Sequence, residues 1–278
     1  MKVTLEEIPA YRYAGILAVC DAHNIRRGLA AWHIGDPSVV LKDGRFFMAY
    51  SATSRHFGEV AGYPATMVQC LMAATSDDGI DWKKSQCPLL IRDGDTAEPQ
   101  PDPNRIGDFH RPCLRRENGK WRLWFDYWLP GKGVCMGYAD NAADFMAKGG
   151  FKIRHDLKEP LLDDWPNPDV VKVGNQYHCF SDPSGHPVPK GASAWMSRQL
   201  REAISDDGLT WKKLDFIPPD KDADACHVPQ ALGTEMGGQK WLYLFYATQV
   251  GHSRGDGSYH YEYDRIRAMR RRIAAPPN

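Results

Sequence analysis

Four stretches of the chain repeat one order of residue types: a proline, a short apolar run, a turn bearing Gly or Asn, then a run rich in aromatics. They begin at Asp36-Pro37, Arg111-Pro112, Asn167-Pro168 and Val228-Pro229. In the first three, the turn pairs Asp43-Gly44, Asn118-Gly119 and Gly174-Asn175 separate β-prone runs. Such pairs between apolar segments predict antiparallel hairpins. The prolines follow one another after 75, 56 and 61 residues, a period of about 64.

A second pattern keeps the same period. Ser76-Asp77-Asp78-Gly79-Ile80-Asp81-Trp82 recurs as Ser205-Asp206-Asp207-Gly208-Leu209-Thr210-Trp211, 129 residues later. Gly137 to Phe145 is a degenerate copy, and Tyr259 to Met269 reads as the corresponding strand of the fourth repeat. The acidic residues of this motif are expected to be structural. Asp side chains bond the N–H groups of the turn, Gly takes the positive φ, and Trp packs between sheets. A hairpin followed by another hairpin at this period predicts a four-stranded propeller blade. The fold expected is therefore all-β: a five-bladed β-propeller of four-stranded antiparallel blades, forming one domain over residues 1–278. Repeats begin near 36, 111, 167 and 228, and residues 1–35 complete or close a further blade. A β-sandwich would hold similar hairpins, but sandwiches do not repeat a turn motif at a fixed offset.

Composition narrows the partners. The 35 basic and 35 acidic side chains cancel, which argues against nucleic acid or an anionic membrane, since both need a basic surface. Aromatics at 11%, with 25 Gly and 20 Pro, suit a turn-rich β protein that handles a flat, weakly charged ligand. Seven scattered Cys without a CxxC pair predict buried reduced thiols and neither a disulfide framework nor a zinc knuckle. The first residues carry Glu6, Glu7, Tyr11 and Tyr13 where a signal peptide would have its apolar core, so a cytoplasmic location is expected.

The segment Asp36-Pro37-Ser38-Val39-Val40, followed by Asp43 to Ser51, resembles the first-blade signature of the five-bladed β-propeller glycoside hydrolases, family 43 above all, with families 32, 62, 117 and 130 as relatives. The resemblance implies that Asp36 is the general base and the substrate a carbohydrate. In family 43 the second blade usually offers an Asp after Ala-Pro, where this chain has Cys113. The third blade usually offers a Glu before Gly-Pro, where this chain has Asp163-Asp164-Trp165-Pro166-Asn167-Pro168-Asp169. Family 117 members are described as using a histidine as acid, and His227 or His110 could stand in that way. No cofactor is required, although a central metal ion such as calcium is possible, since a histidine faces one in some family 43 members.

In a propeller the inner strands begin around one mouth of the channel, so residues beside each leading proline are expected to converge. These are Asp36, Ser38, His110, Arg111, Asn167, Asp169, His227 and Gln230. Glycoside hydrolysis needs one group to protonate the leaving oxygen and another to activate water or attack the sugar. With Asp36 as base, Asp169, then Asp164, then His227 are the acids to consider. His110, Arg111, Asn167 and Gln230 would bind substrate. Trp32, Trp165 and Trp195 would stack on the sugar, while Trp121, Trp124 and Trp241 would fill blade cores. Asp182 reads as turn chemistry. The function expected is hydrolysis of a small oligosaccharide or terminal sugar by carboxylate acid/base catalysis with inversion; the alternatives are a carbohydrate-binding propeller whose catalytic groups have decayed, and a phosphorylase in which phosphate replaces water, with Arg111 and His110 as its anion site.

Overall fold

The computed structural model describes residues 31–55, 67–85, 88–90, 109–147, 149–185, 197–218, 225–249 and 264–273. They form four antiparallel sheets in chain order. The first holds β1 (Ala31–Lys42), β2 (Arg45–Arg55), β3 (Met67–Ser76) and β4 (Lys83–Lys84). The second holds β5 (Phe109–Glu117), β6 (Lys120–Leu129), β7 (Gly133–Asn141) and β8 (Lys152–Ile153). The third holds β9 (Asp169–Val173), β10 (Gln176–Ser181), β11 (Arg201–Ser205) and β12 (Lys212–Phe216). The fourth holds β13 (Ala225–Met236), β14 (Gln239–Gln249) and β15 (Asp264–Ile273).

Each sheet is a meander, the blade architecture that the repeat predicts. Four sheets stand among the described residues where five blades were expected, and residues 1–30, which were to supply much of the fifth, lie outside them. The fourth sheet has three described strands; of the strand expected over 259–269, residues 264–269 belong to β15 and residues 259–263 lie outside the described residues. The chain divides into two compact units, Met1–Pro130 with Ala139–Arg154, and Gly131–Tyr138 with His155–Asn278.

In the first unit, the β1–β2 and β5–β6 hairpins turn on Asp43-Gly44 (φ 51° and 76°) and Asn118-Gly119 (φ 48° and 76°). Two consecutive positive φ values match the twist of a two-residue hairpin, and they select Asp or Asn followed by Gly. Alternate residues of β2 and β3 (Tyr50, Ala52, Cys70, Met72 and Ala74) form one core cluster, with Met48 and Trp82 packed against it. Phe47, Trp121 and Phe145 form another, with ring centroids 4.7–5.4 Å apart. Trp121 and Trp124 are buried, as expected.

In the second unit, Val171, Val173, Phe180 and Leu200 pack against Cys226, Ala231, Leu242, Leu244 and Tyr246. Beside this core, buried Glu202 is bonded to His178 Nδ1 (2.7 Å) and to Arg271 Nη1 (2.7 Å). Burial pushes the Glu202 carboxyl up, but the His178 and Arg271 bonds outweigh it and leave it below its ordinary value.

The Ser-Asp-Asp-Gly motif behaves identically in both units. Ser76 Oγ accepts the Gly79 N–H (2.8 Å), and Asp78 Oδ1 accepts the N–H groups of Ile80 and Asp81 (2.8 Å each). Ser205 and Asp207 repeat the arrangement with Gly208, Leu209 and Thr210. In the degenerate copy, Asn141 takes the serine's place, accepting the Ala143 N–H at 2.7 Å. Cys70, Cys113, Cys135, Cys179 and Cys226 are buried free thiols, and burial pushes Cys135 up to about 11.

Candidate functional site

The four leading prolines share a backbone feature that the sequence did not announce. Each is preceded by a residue in the left-handed region: Asp36 (φ 51°), Arg111 (50°), Asn167 (50°) and Val228 (51°). Positive φ is uncommon for residues other than Gly, and a following proline further restricts the residue before it. The pairing registers slip at the same place, between Gly35 and Ser38, His110 and Cys113, and His227 and Gln230. Each slip is a β-bulge, which bends the strand and re-aims its side chains. Strain of this kind costs about 1–3 kcal/mol per residue and collects at functional sites. The recurrence marks candidate positions in each unit by itself: Asp36 and Arg111 in the first, Asn167 and Val228 in the second.

Two further side chains recur with the bulge. Ser38 Oγ accepts the Leu114 N–H at 2.9 Å, and Asp169 accepts the Ala231 N–H in the same way. Ser51 Oγ accepts the Arg111 N–H (2.8 Å), and Asp182 Oδ2 accepts the Val228 N–H (3.1 Å). In each case a side chain of one sheet holds the strained start of the next.

In the first unit, the buried carboxylate of Asp126 faces an imidazole and a guanidinium. His110 Nδ1 is paired with its Oδ1, and Arg111 Nη1 lies 3.2 Å from its Oδ2. Asp126 is fully buried, whereas His110 and Arg111 are partly exposed. A carboxylate on Nδ1 fixes the imidazole's orientation and leaves Nε2 as the nitrogen that can exchange a proton. Asp36 is exposed on β1, and β5 is tied to β1 and β2 through the Ser38 and Ser51 hydroxyls.

In the second unit, Asp182 occupies the place of Asp126. It is fully buried, accepts a bond from Asn167 Nδ2 (2.6 Å) and the Val228 N–H, and lies 3.7 Å from Arg198 Nη1. Arg198 also donates to the Asp182 carbonyl at 2.9 Å. Asn167 and His227 are buried, while Asp164 and Gln230 are exposed.

Several expectations change accordingly. Asp182 is a buried acceptor joining two strained strand beginnings, and not turn chemistry. Trp165 cannot stack on a sugar: it is fully buried, with Nε1 bonded to Cys179 Sγ at 3.2 Å. One oxygen of Asp169 is taken by the chain itself, as Ser38 is in the first unit. Trp241 is half-buried beneath the Arg270 guanidinium, which sits 4.6 Å from its ring. Trp195 lies outside the described residues, as does the side chain of Trp32 in β1. Asp126 was missed, although a signal existed. Ser51, Asp126 and Asp182 each follow a pre-proline residue by 15 positions. Among the described residues, no cluster of three or more His, Cys, Asp or Glu gathers that could hold a metal ion. No helix among them is long and apolar enough to cross a membrane.

No protein-family model matches the chain, and no curated protein matches it. Solved structures do. The chain is similar to the family 32 β-fructofuranosidase of Bombyx mori, at 16% identity and TM-score 0.51, covering 85% of this chain and 46% of that one. It is also similar to a structure described under a family 130 of mannoside phosphorylases that contains glycoside hydrolases targeting β-1,2 mannosidic linkages. That match has 17% identity and TM-score 0.54, covering 80% of this chain and 62% of that one. A family 43 protein of the Bacteroides ovatus xyloglucan locus matches at 16% identity and TM-score 0.51, over 89% of this chain and 42% of that one. The chain thus spans about half the length of the fructofuranosidase. At these identities the likeness defines the fold alone, a β-propeller.

Proposed function

We propose that the protein is a glycoside hydrolase that cleaves a terminal sugar or small oligosaccharide by acid/base catalysis with inversion. The observation that carries this reading lies in the first unit: the strained residues Asp36 and Arg111 before its two leading prolines, with buried Asp126 paired to His110 and Arg111. Asp36, exposed at the first of these positions, is the base that activates water. His110 is the acid: Asp126 fixes its ring, and its free nitrogen delivers a proton to the leaving oxygen. This assignment replaces Asp169, whose carboxylate holds the Ala231 N–H. Arg111 completes the charge balance around Asp126.

The same pairing favours water over phosphate as the acceptor. A phosphate site needs uncommitted positive charge, and Asp126 already faces both Arg111 and His110. A panel of aryl glycosides and oligosaccharides, assayed with and without phosphate, tests the proposal. Asp36→Asn should lower turnover by about 10²–10⁴-fold at unchanged melting temperature, and His110→Gln by a similar factor when assayed at a temperature where the variant is folded. Full activity in both variants would remove them from the mechanism, and an inert wild-type protein would leave a carbohydrate-binding propeller.

A further inference from the structure

Near the end of β6, Trp128 is 40% exposed, while its strand neighbours Tyr127 and Leu129 are buried. Side chains alternate along a strand, so Trp128 shares a face with Asp126, two residues before it. His110 of β5 is the cross-strand partner of Asp126, and Trp128 is therefore its diagonal neighbour. Diagonal positions lie about 7–8 Å apart, within reach of an aromatic side chain. The imidazole, the carboxylate that orients it and an exposed indole thus occupy one end of a single hairpin in the first unit.

The other two tryptophans of this strand serve the core. Phe47 and Phe145 lie against Trp121, and the Arg122 guanidinium covers Trp124. Among the described residues, Trp128 has no such ring contact and no hydrogen bond from its indole. The repeat does not call for a tryptophan there either. The positions 17 residues after the other three pre-proline residues hold Thr53, Ser184 and Phe245. Of the four repeats, the one that carries His110 places a tryptophan at this point.

Resting on the glycosidase reading above, we propose that Trp128 is the platform for the leaving group of the substrate. A general acid delivers its proton to the departing oxygen, so it stands on the leaving-group side of the scissile bond. The indole beside His110 lies on that side, where its flat apolar face covers a ring attached to the oxygen. The substrate class follows: a glycoside whose leaving group is itself a ring, as in an oligosaccharide, in preference to a small alkyl glycoside. Tryptophan joins a large apolar area to a rigid plane, and such a contact is worth about tenfold or more in binding.

The test compares three substrates that share the glycone hydrolysed fastest by the wild-type protein in the aryl-glycoside panel. They are its methyl glycoside, its phenyl glycoside and a disaccharide in which glucose is the leaving group. Each variant is measured against the wild-type protein on each substrate, which cancels the intrinsic reactivity of the leaving groups. The methyl glycoside is also read as a competitive inhibitor, so slow turnover does not hide its binding. Trp128→Ala should raise KM for the phenyl glycoside and the disaccharide about tenfold more than for the methyl glycoside. Trp128→Phe, which keeps a smaller ring, should fall between Trp128→Ala and the wild-type protein. Both variants should melt with the wild-type protein, since the side chain is exposed. An equal effect on all three substrates, or none on any, overturns the inference while the glycosidase reading stands. No turnover of any glycoside by the wild-type protein overturns both.

Discussion

Removing the Asp182 carboxylate should cost stability out of proportion to its size. Asp182→Ala leaves the buried Asn167 amide without this acceptor and the Val228 N–H without its carboxylate. A hydrogen bond to a charged group contributes about 1.5–3 kcal/mol, and a buried donor left unsatisfied costs about 1–3 kcal/mol. Asn167 is buried and belongs at the upper end of that range; Val228 is half-exposed, so water can replace part of its loss. Arg198, 3.7 Å away and partly exposed, adds little because it keeps its bond to the Asp182 carbonyl. The sum is about 3–5 kcal/mol, less whatever strain relaxes at Asn167 and Val228. Urea denaturation reads this as a lower midpoint at unchanged m-value. A double-mutant cycle with Asn167→Ala should give a coupling of about 1.5–3 kcal/mol. A loss below about 1 kcal/mol, or simple additivity with Asn167→Ala, would refute the view that Asp182 holds the two strand beginnings together.

Three other perturbations probe separate layers. Gly119→Ala should destabilise by about 1–2 kcal/mol, read by denaturant melts, because φ is 76° there and open space leaves conformation as the only cost. Burial raises the Asp207 carboxyl, but the Thr210 and Leu209 N–H groups and the Ser205 hydroxyl overcome it and hold it at about 2. Its folded value is thus below its unfolded one, so its stabilisation is complete above about pH 4 and fades as pH falls toward 2. Asp207→Asn should flatten the difference in acid stability within that window, followed by melting temperature against pH. Trp165→Ala should lose about 3–5 kcal/mol, as expected for a buried aromatic. The milder Trp165→Phe should leave KM for any glycoside unchanged, and a rise in KM would restore Trp165 as a sugar platform.

The parts of this structure that were readable in advance are those fixed by local conformation. Asp43-Gly44 and Asn118-Gly119 announce their hairpins because few residue pairs accept two positive φ values in succession. Ser76 to Trp82 announces its turn because every hydrogen bond in it spans three residues or fewer. Asp126 and Asp182 were obscured for the opposite reason. Their partners depend on the register across a bulged hairpin, and in the case of Asp182 on an N–H 46 residues away. Asp169 could have been read correctly by placing it over Ser38, since both directly follow a leading proline. Trp165 could not: its neighbours Cys179 and Lys213 come together only through the sheet, and residue type alone does not separate a core tryptophan from a surface platform.

Hydrolysis itself is tested most directly by isotope transfer. An intact oligosaccharide that the protein cleaves is incubated with it in heavy-oxygen water, with and without phosphate, and the released sugar is weighed by mass spectrometry at early times. The account predicts one heavy oxygen on the newly freed anomeric carbon, at a rate insensitive to phosphate and nearly abolished by Asp36→Asn. A sugar phosphate as product, or heavy-oxygen incorporation that persists undiminished in Asp36→Asn, would contradict it.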